Sequence, residues 1–381
     1  FRLCVEHREG AAPTVWIIGA DARGALFGAG QLLRSMKWAE GRVSLPDDLD
    51  VCTAPQYGIR GHQLGYRNTA NAYDAWDVAA YEQYIRELVL FGANAIKNIP
   101  FEPADNSVHF SIPPAEMAAS LSQLCQDYDI EYWVWTPADF DLQDPVQRAA
   151  GLAEQEQLYK DCVRIDGVFV PGGDPGSNSP DLVMAFLEDL AELLHEEHPD
   201  AGVWVSNQGF EHAQNDWFFN YLDRERPDWL AGVVFGPWTK HSLAEQRMRT
   251  PAQYPIRHYP DICHNVRCQY PVDQWDEALA HTLNREAPNP RPAEFAHVHN
   301  WTAPDTTGFL SYSDGITDDV NKIVWTMRGW DPAISVEEIL TDYARFFFGP
   351  EAADTAVDGI LGLENNWVGT LADNTGVDDT W

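Results

Sequence analysis

The sequence predicts an α/β fold: a (β/α)₈ TIM barrel preceded by part of a small α/β unit. Three observations point there. Strand-like and helical runs alternate about eight times after Pro55, which implies a parallel sheet with helical crossovers. The 381 residues suffice for one barrel of roughly 250 residues plus a smaller piece. The first strand is followed by no phosphate-binding glycine loop, Gly61-His-Gln-Leu-Gly65 standing there instead. That disfavours the competing doubly wound open sheet.

Residues 1–50 read as the C-terminal part of a small α/β domain. Thr14-Val-Trp-Ile-Ile-Gly19 is expected as a short buried strand, and 22–37 as a helix carrying Leu26, Phe27, Leu32 and Leu33. Pro46-Asp-Asp-Leu-Asp50 reads as a linker. Residues 51–334 form the expected barrel, with strands at 57–64, 93–99, 130–136, 167–170, 202–206, 231–235, 256–259 and 308–312. The clearest helices between them are 78–90, 115–127, 181–196 and 318–328. In the third, Leu182, Val183, Phe186, Leu187, Leu190, Leu193 and Leu194 recur at helical spacing, with Ser179 as N-cap and Pro180 at the first helical position. Residues 335–381 read as a C-terminal helical segment: a helix at 336–347, a turn at Gly349-Pro350, a second helix, and an ending that looks truncated. With no initiator Met and no basic–apolar leader, the chain reads as a fragment.

Composition narrows the function classes. The 59 acidic residues against 25 basic ones leave a formal charge of −34, a field that repels nucleic acid and anionic membranes. No apolar run approaches the roughly 20 residues of a membrane span. Five of the basic residues are Lys; an acidic, Lys-poor surface suits a salty or acidic medium, and a genome that favours Arg codons gives the same bias. The six cysteines show neither a CxxC pair nor metal-ligand spacing. Cys125 is expected in the core, and Cys263 and Cys268 share a loop that could hold a local disulfide. His62, His258 and His264 match no short metal motif, so no metal or cofactor is expected.

In such barrels the chemistry sits where strands end and βα loops begin. The polar residues there are His62, Asn98, Asp174, Asn207, Gln208, Glu211, His258, Asp261, Tyr312 and Asp314, with no nucleophile elbow, P-loop or HExxH motif. Asp174 ends Val168-Phe-Val-Pro-Gly-Gly173, where two glycines let another molecule approach the backbone. The following helix already has its cap in Ser179, so Asp174 is read as functional. Glu211 is either a second acid/base carboxylate or a residue favouring the next helix N-terminus. Asp314 is either catalytic or half of an Asp-Gly turn. Fifteen Trp is high for this length. Sugar rings present flat C–H faces, so Trp238 and Trp301 near carboxylates suit a carbohydrate ligand, although most Trp in a barrel are packing.

Several segments resemble known families. Asp21-Ala-Arg-Gly-Ala-Leu-Phe-Gly-Ala-Gly-Gln-Leu-Leu33 resembles the helix of the small domain that precedes the barrel in glycoside hydrolase families 20, 67 and 84. Arg60-Gly61-His62 and Phe91-Gly-Ala-Asn-Ala-Ile96 are similar to the first two barrel strands of those enzymes. Pro171-Gly-Gly-Asp174 resembles the Gly-Gly-Asp-Glu signature of family 20 β-N-acetylhexosaminidases, in which the Asp orients the substrate's acetamido group and the Glu is the general acid. Pro175 stands at that Glu. Tyr312-Ser-Asp-Gly-Ile-Thr-Asp-Asp-Val-Asn-Lys322 and Trp330-Asp-Pro332 look like the barrel end in bacterial relatives of these hydrolases.

The resemblance implies a periplasmic or extracellular glycosidase acting on a carbohydrate through two carboxylates from Asp174, Glu211 and Asp314. His62, Arg67, Asn207, Trp238, His258, Trp301 and Tyr312 would bind substrate. An α-glucuronidase-like enzyme using Arg67, Arg257 and Arg267 for a uronate, and a non-catalytic sugar-binding barrel, are the alternatives.

Overall fold

A computed structural model describes residues 1–65, 73, 76–99, 111–263, 290–313, 318–366, 368, 373–374, 376 and 380. Arg67, Asp314, His264, Arg267 and Cys268 lie outside the described residues.

Strands β1 (Arg2–Glu6), β2 (Thr14–Ile18) and β5 (Asp50–Cys52) form a small antiparallel sheet in the order β2-β1-β5. Helix α1 (Ala22–Ser35) packs beside it, its N-cap Asp21 accepting from Gly24 N at 2.6 Å. β3 (Lys37–Ala39) and β4 (Arg42–Ser44) make a hairpin. The expectation of a buried strand at Thr14 is corrected: β2 is an edge strand, and Trp16 and Ile18 are 44% and 52% exposed. Hydrophobic content alone does not say which edge a neighbour covers.

Eight parallel strands then close on themselves. They are β6 (Ile59–Leu64), β7 (Ala95–Asn98), β8 (Glu131–Trp135), β9 (Gly167–Val170), β10 (Gly202–Ser206), β11 (Leu230–Phe235), β12 (Ile256–His258) and β14 (Gly308–Ser313). β12 pairs with β14 and β14 with β6, which closes the barrel. A short β13 (Asp261–Cys263) continues the seventh strand beside β14. The closed sheet is the (β/α)₈ barrel the sequence predicts, and each expected strand is present to within two residues at either end.

The helices α2 (Val78–Leu90), α3 (Pro114–Asp127), α4 (Pro145–Asp161), α5 (Pro180–Glu197), α6 (His212–Glu225), α7 (Leu243–Arg249), α8 (Pro292–Thr302) and α9 (Asp319–Trp330) follow successive strands. α10 (Val336–Phe347) and α11 (Ala353–Asn365) complete the chain's described helices. α5 buries Val183, Met184, Phe186, Leu187, Leu190, Ala191 and Leu194 along one stripe. α4 buries only Gly151, Gln155 and Tyr159, so its apolar face is too narrow to stand out in the sequence.

Strand side chains alternate between two environments. Ala95, Ile99, Trp133, Phe169, Trp204, Val234, Tyr259, Leu310 and Tyr312 pack together inside the barrel. Their neighbours along the strands, such as Ile96, Val134, Val168, Val170, Val203 and Val233, face the helices. Glycines make room for the largest interior rings: a Cβ on Gly167 would stand 2.5 Å from Trp133, and one on Gly232 would overlap Trp204.

Trp330 joins the N-terminal unit to the barrel. Its ring lies 5.5 Å from Phe1 and 5.1 Å from Phe27, the Arg60 guanidinium stacks on it at 5.1 Å, and its Nε1 donates to Thr53 Oγ1 at 2.9 Å. Trp330 is partly buried, so Trp330→Ala is expected to cost about 2 kcal/mol in urea unfolding, below the range for fully buried aromatic truncations. A loss under ~1 kcal/mol would show that the contact contributes little to stability.

Candidate active site

The strand C-termini and the loops after them form the mouth of the barrel, and Asp174 is fastened there from two sides. β9 ends at Val170, and Pro171-Gly-Gly173 carries the chain to Asp174. Gly172 has φ +76°, and a Cβ on it would collide with the carbonyl oxygen of Ser206, the last residue of β10. Gly173 N donates to Gln208 O at 2.9 Å. The Gln208 side chain donates from Nε2 to Asp174 Oδ2 at 3.0 Å. Asp174 Oδ1 makes no bond to the described residues, and the side chain is half-buried. On the other flank Asn178 donates to Ala138 O at 2.9 Å and Phe140 O at 2.8 Å, and accepts from Leu142 N at 3.1 Å. The loops after β8, β9 and β10 are therefore one hydrogen-bonded unit with Asp174 at its centre.

Trp238 belongs to the next loop round the rim. Gly209 N donates to Trp238 O at 3.4 Å, and Trp238 holds φ +62° with 44% of its surface exposed. Tyr312 points into the barrel from β14, its ring 6.2 Å from that of Tyr259. Of these two residues, one stands on the rim and the other in the barrel interior.

The structure places the other expected residues elsewhere. Glu211 is the N-cap of α6: its backbone N–H donates to Gln214 Oε1 at 2.8 Å, and its exposed carboxylate pairs with Lys240 at 3.3 Å. Of its two sequence readings, the helix-terminus one matches this position. Asn207 faces away from the lumen, donating to Asn215 Oδ1 at 2.5 Å and contacting His241 Nε2 at 3.2 Å, so it ties β10 to α6 rather than meeting a ligand.

His62 and His258 require correction for the same reason. His62 alternates with Gly61 and Gln63, which face inward, so its ring lies outside the barrel wall between Ser311 Oγ and Thr326 Oγ1, each at 2.7 Å. His258 alternates with inward Arg257 and packs 5.7 Å from Trp325. Trp301 is 76% exposed but lies one residue before the end of α8. Helices run back antiparallel to the strands they follow, so that end of α8 is at the face opposite the mouth.

Sequence reasoning missed Gln63 and Lys97. Gln63 Oε1 accepts from Tyr259 Oη at 2.6 Å across the interior. Lys97 reaches inward until its Nζ sits 3.3 Å from the Tyr259 ring centroid. The period-two alternation from Gly61 and Ala95 would have found both. Among the described residues no group of three or more His, Cys, Asp or Glu is arranged to hold a metal ion, and no helix is long and apolar enough to cross a membrane.

No family model matches the sequence, and no curated protein matches it. Solved structures do. A family 89 glycoside hydrolase from Clostridium perfringens, in complex with 2-acetamido-1,2-dideoxynojirmycin, aligns at TM-score 0.56 and 12% identity over 94% of this chain and 48% of its own. The same enzyme also aligns at 0.56 in complex with its substrate GlcNAc-α-1,4-galactose. A family 20 exo-β-N-acetylglucosaminidase from Vibrio harveyi, in complex with N-acetylglucosamine, aligns at 0.56 and 10% identity over 95% of this chain and 67% of its own. The chain spans about half the length of the family 89 enzyme. At these identities the likeness is one of fold, a (β/α)₈ barrel.

Three histidines lie buried and neutral around the outer face of β6, β12 and β14. Burial pulls His62 well below its usual value, with Lys322 adding to the effect. It lowers His258 to about 3 and His299 to about 4. Each folded value is depressed, so the stability each contributes is present above ~6.5 and lost as pH falls toward the folded value. Between about pH 5.5 and 4.5 the wild type should lose about 1.4 kcal/mol more than a His258→Phe variant. Urea midpoints measured for both across that interval test it, and parallel curves would show that His258 is not buried neutral.

Proposed function

We propose that this chain is a glycoside hydrolase that binds a sugar at the mouth of the barrel and uses the Asp174 carboxylate in the reaction. The carrying observation is the fixed geometry of Asp174. One carboxylate oxygen is held by Gln208 Nε2 at 3.0 Å, and the other is left without a bond to the described residues. A carboxylate oriented in this way has two uses in glycoside hydrolysis. It exchanges a proton with the leaving group or water, or it accepts a hydrogen bond from an acetamido N–H and turns that group toward the anomeric carbon. The second use gives the narrower reading, a β-N-acetylhexosaminidase-like enzyme. It is supported by the resemblance of Pro171-Gly-Gly-Asp174 to the family 20 signature, and by the GlcNAc-type ligands of the two barrels reported above.

The cis Asp174–Pro175 bond follows directly, and Pro175 carries no titratable group. The general acid must therefore come from another element, for which Asp314 is the proposed source. Trp238 and Tyr312 are the proposed sugar contacts, one rim-exposed and one interior. An extracellular or periplasmic location belongs to the same proposal, on the resemblance alone. The uronate alternative draws little support, because Arg257 is wholly buried within the barrel.

The test is a panel of aryl glycosides that includes N-acetyl-β-glucosaminide and β- and α-glucuronides. Turnover of the N-acetylated substrate is expected, with Asp174→Asn lowering kcat/KM by roughly 10²–10⁴-fold. Full activity in Asp174→Asn would remove Asp174 from the chemistry. Tight sugar binding without turnover across the panel would instead favour a non-catalytic carbohydrate-binding barrel.

A further inference from the structure

The protein carries a large negative charge, yet its barrel interior holds two basic side chains whose nitrogens meet no hydrogen-bond acceptor among the described residues. Lys97 on β7 reaches across the lumen, its Nζ 3.3 Å from the Tyr259 ring centroid and 4.8 Å from that of Phe169. Arg257 on β12 enters from the opposite wall, its guanidinium carbon 5.0 Å from the Phe169 centroid and 5.1 Å from that of Trp133. Both side chains are fully buried. Lys97 Nζ and all three Arg257 nitrogens find no hydrogen-bond acceptor among the described residues. The acidic group whose field reaches Arg257 is Glu131, at the entrance of β8, and that carboxylate already accepts from Trp133 Nε1 at 2.9 Å.

Aromatic faces attract a cation but do not neutralise it or satisfy its N–H groups. Buried charges in proteins are paired and hydrogen-bonded, and two like charges in one interior repel each other as well. Four buried nitrogens packed about the Phe169 ring therefore lack an acceptor among the described residues, and burial with the Arg257 charge pulls the Lys97 ammonium well below its usual value, a penalty that a bound anion would offset. We propose that Lys97 and Arg257 together bind a small monovalent anion of the chloride class inside the barrel. Tyr259 and Phe169 cover Lys97, and Trp133 and Phe169 cover Arg257, so the occupant is a monatomic ion rather than a substituent of a bound sugar. The site is independent of the glycosidase reading. It adjoins Tyr259, whose ring packs against that of Tyr312, so the anion would brace that interior pair.

Thermal unfolding of the full chain at constant ionic strength, in sodium chloride against sodium gluconate, tests this. The acidic surface responds to ionic strength in both salts alike. The anion site responds only to an ion small enough to enter. Chloride should raise Tm saturably, by roughly 3 °C at about a hundredfold over Kd. That increment should disappear in Lys97→Met and in Arg257→Met. Equal Tm in the two salts, or an increment that survives both substitutions, would overturn the proposal. If neither variant folds, crystals of the wild-type chain grown in bromide decide the matter. Anomalous density between the Lys97 ammonium and the Arg257 guanidinium supports the site, and its absence there rejects it.

Discussion

Closure of the eight-stranded sheet is the constraint on which the rest of the molecule depends. Once β12 pairs with β14 and β14 with β6, no strand has a free edge and each side chain goes either to the lumen or to the helices. That division sorts the chemistry. On β6, Gly61 and Gln63 turn inward while Arg60, His62 and Leu64 turn outward; on β12, Arg257 is inside and His258 outside. The outward set forms a polar seam as well as an apolar one. Arg60 donates to Gly92 O and Tyr57 O, and His62 bridges Ser311 and Thr326.

α9 carries much of that seam. Trp325 packs against His258, His299 and Phe309, and Thr326 meets His62. Lys322 donates to Ser313 Oγ at 2.8 Å, with Asp318 Oδ2 at 3.6 Å. Burial raises Asp318 to about 6, the cost of placing a carboxyl where water does not reach, and the neighbouring ammonium offsets part of it. These contacts hold the end of β14, and with it the entry to the segment that contains Asp314.

Much of this architecture was legible in the sequence because it rests on local patterns. The strands at 167–170 and 202–206 and the helices at 78–90 and 336–347 follow from apolar runs and helical spacing, and they match without adjustment. Asp174 stood out because its Gly-Gly context is also local. What escaped was direction. A histidine at the end of a strand has the same one-dimensional signature whether it faces ligand or helix, and His62 and His258 face helix. Trp301 was misread because a loop-like aromatic near a strand gives no hint of which end of the barrel it occupies. Lys97 was passed over because a single Lys in an apolar strand looks like an interruption, whereas the closed sheet turns it into an interior charge.

The clasp around Asp174 has an evolutionary corollary. Gly173 reads the Gln208 carbonyl, Gln208 holds the Asp174 carboxylate, and Asn178 threads the turn at Ala138 and Phe140. An insertion or deletion in any one of these loops would leave the other two gripping empty space. Diversification of specificity in this barrel should therefore proceed by exchange of the three loops as a single cassette, or through the rim segments that do not touch the clasp. An engineer transplanting the Asp174 loop alone would move the carboxylate without the geometry that orients it.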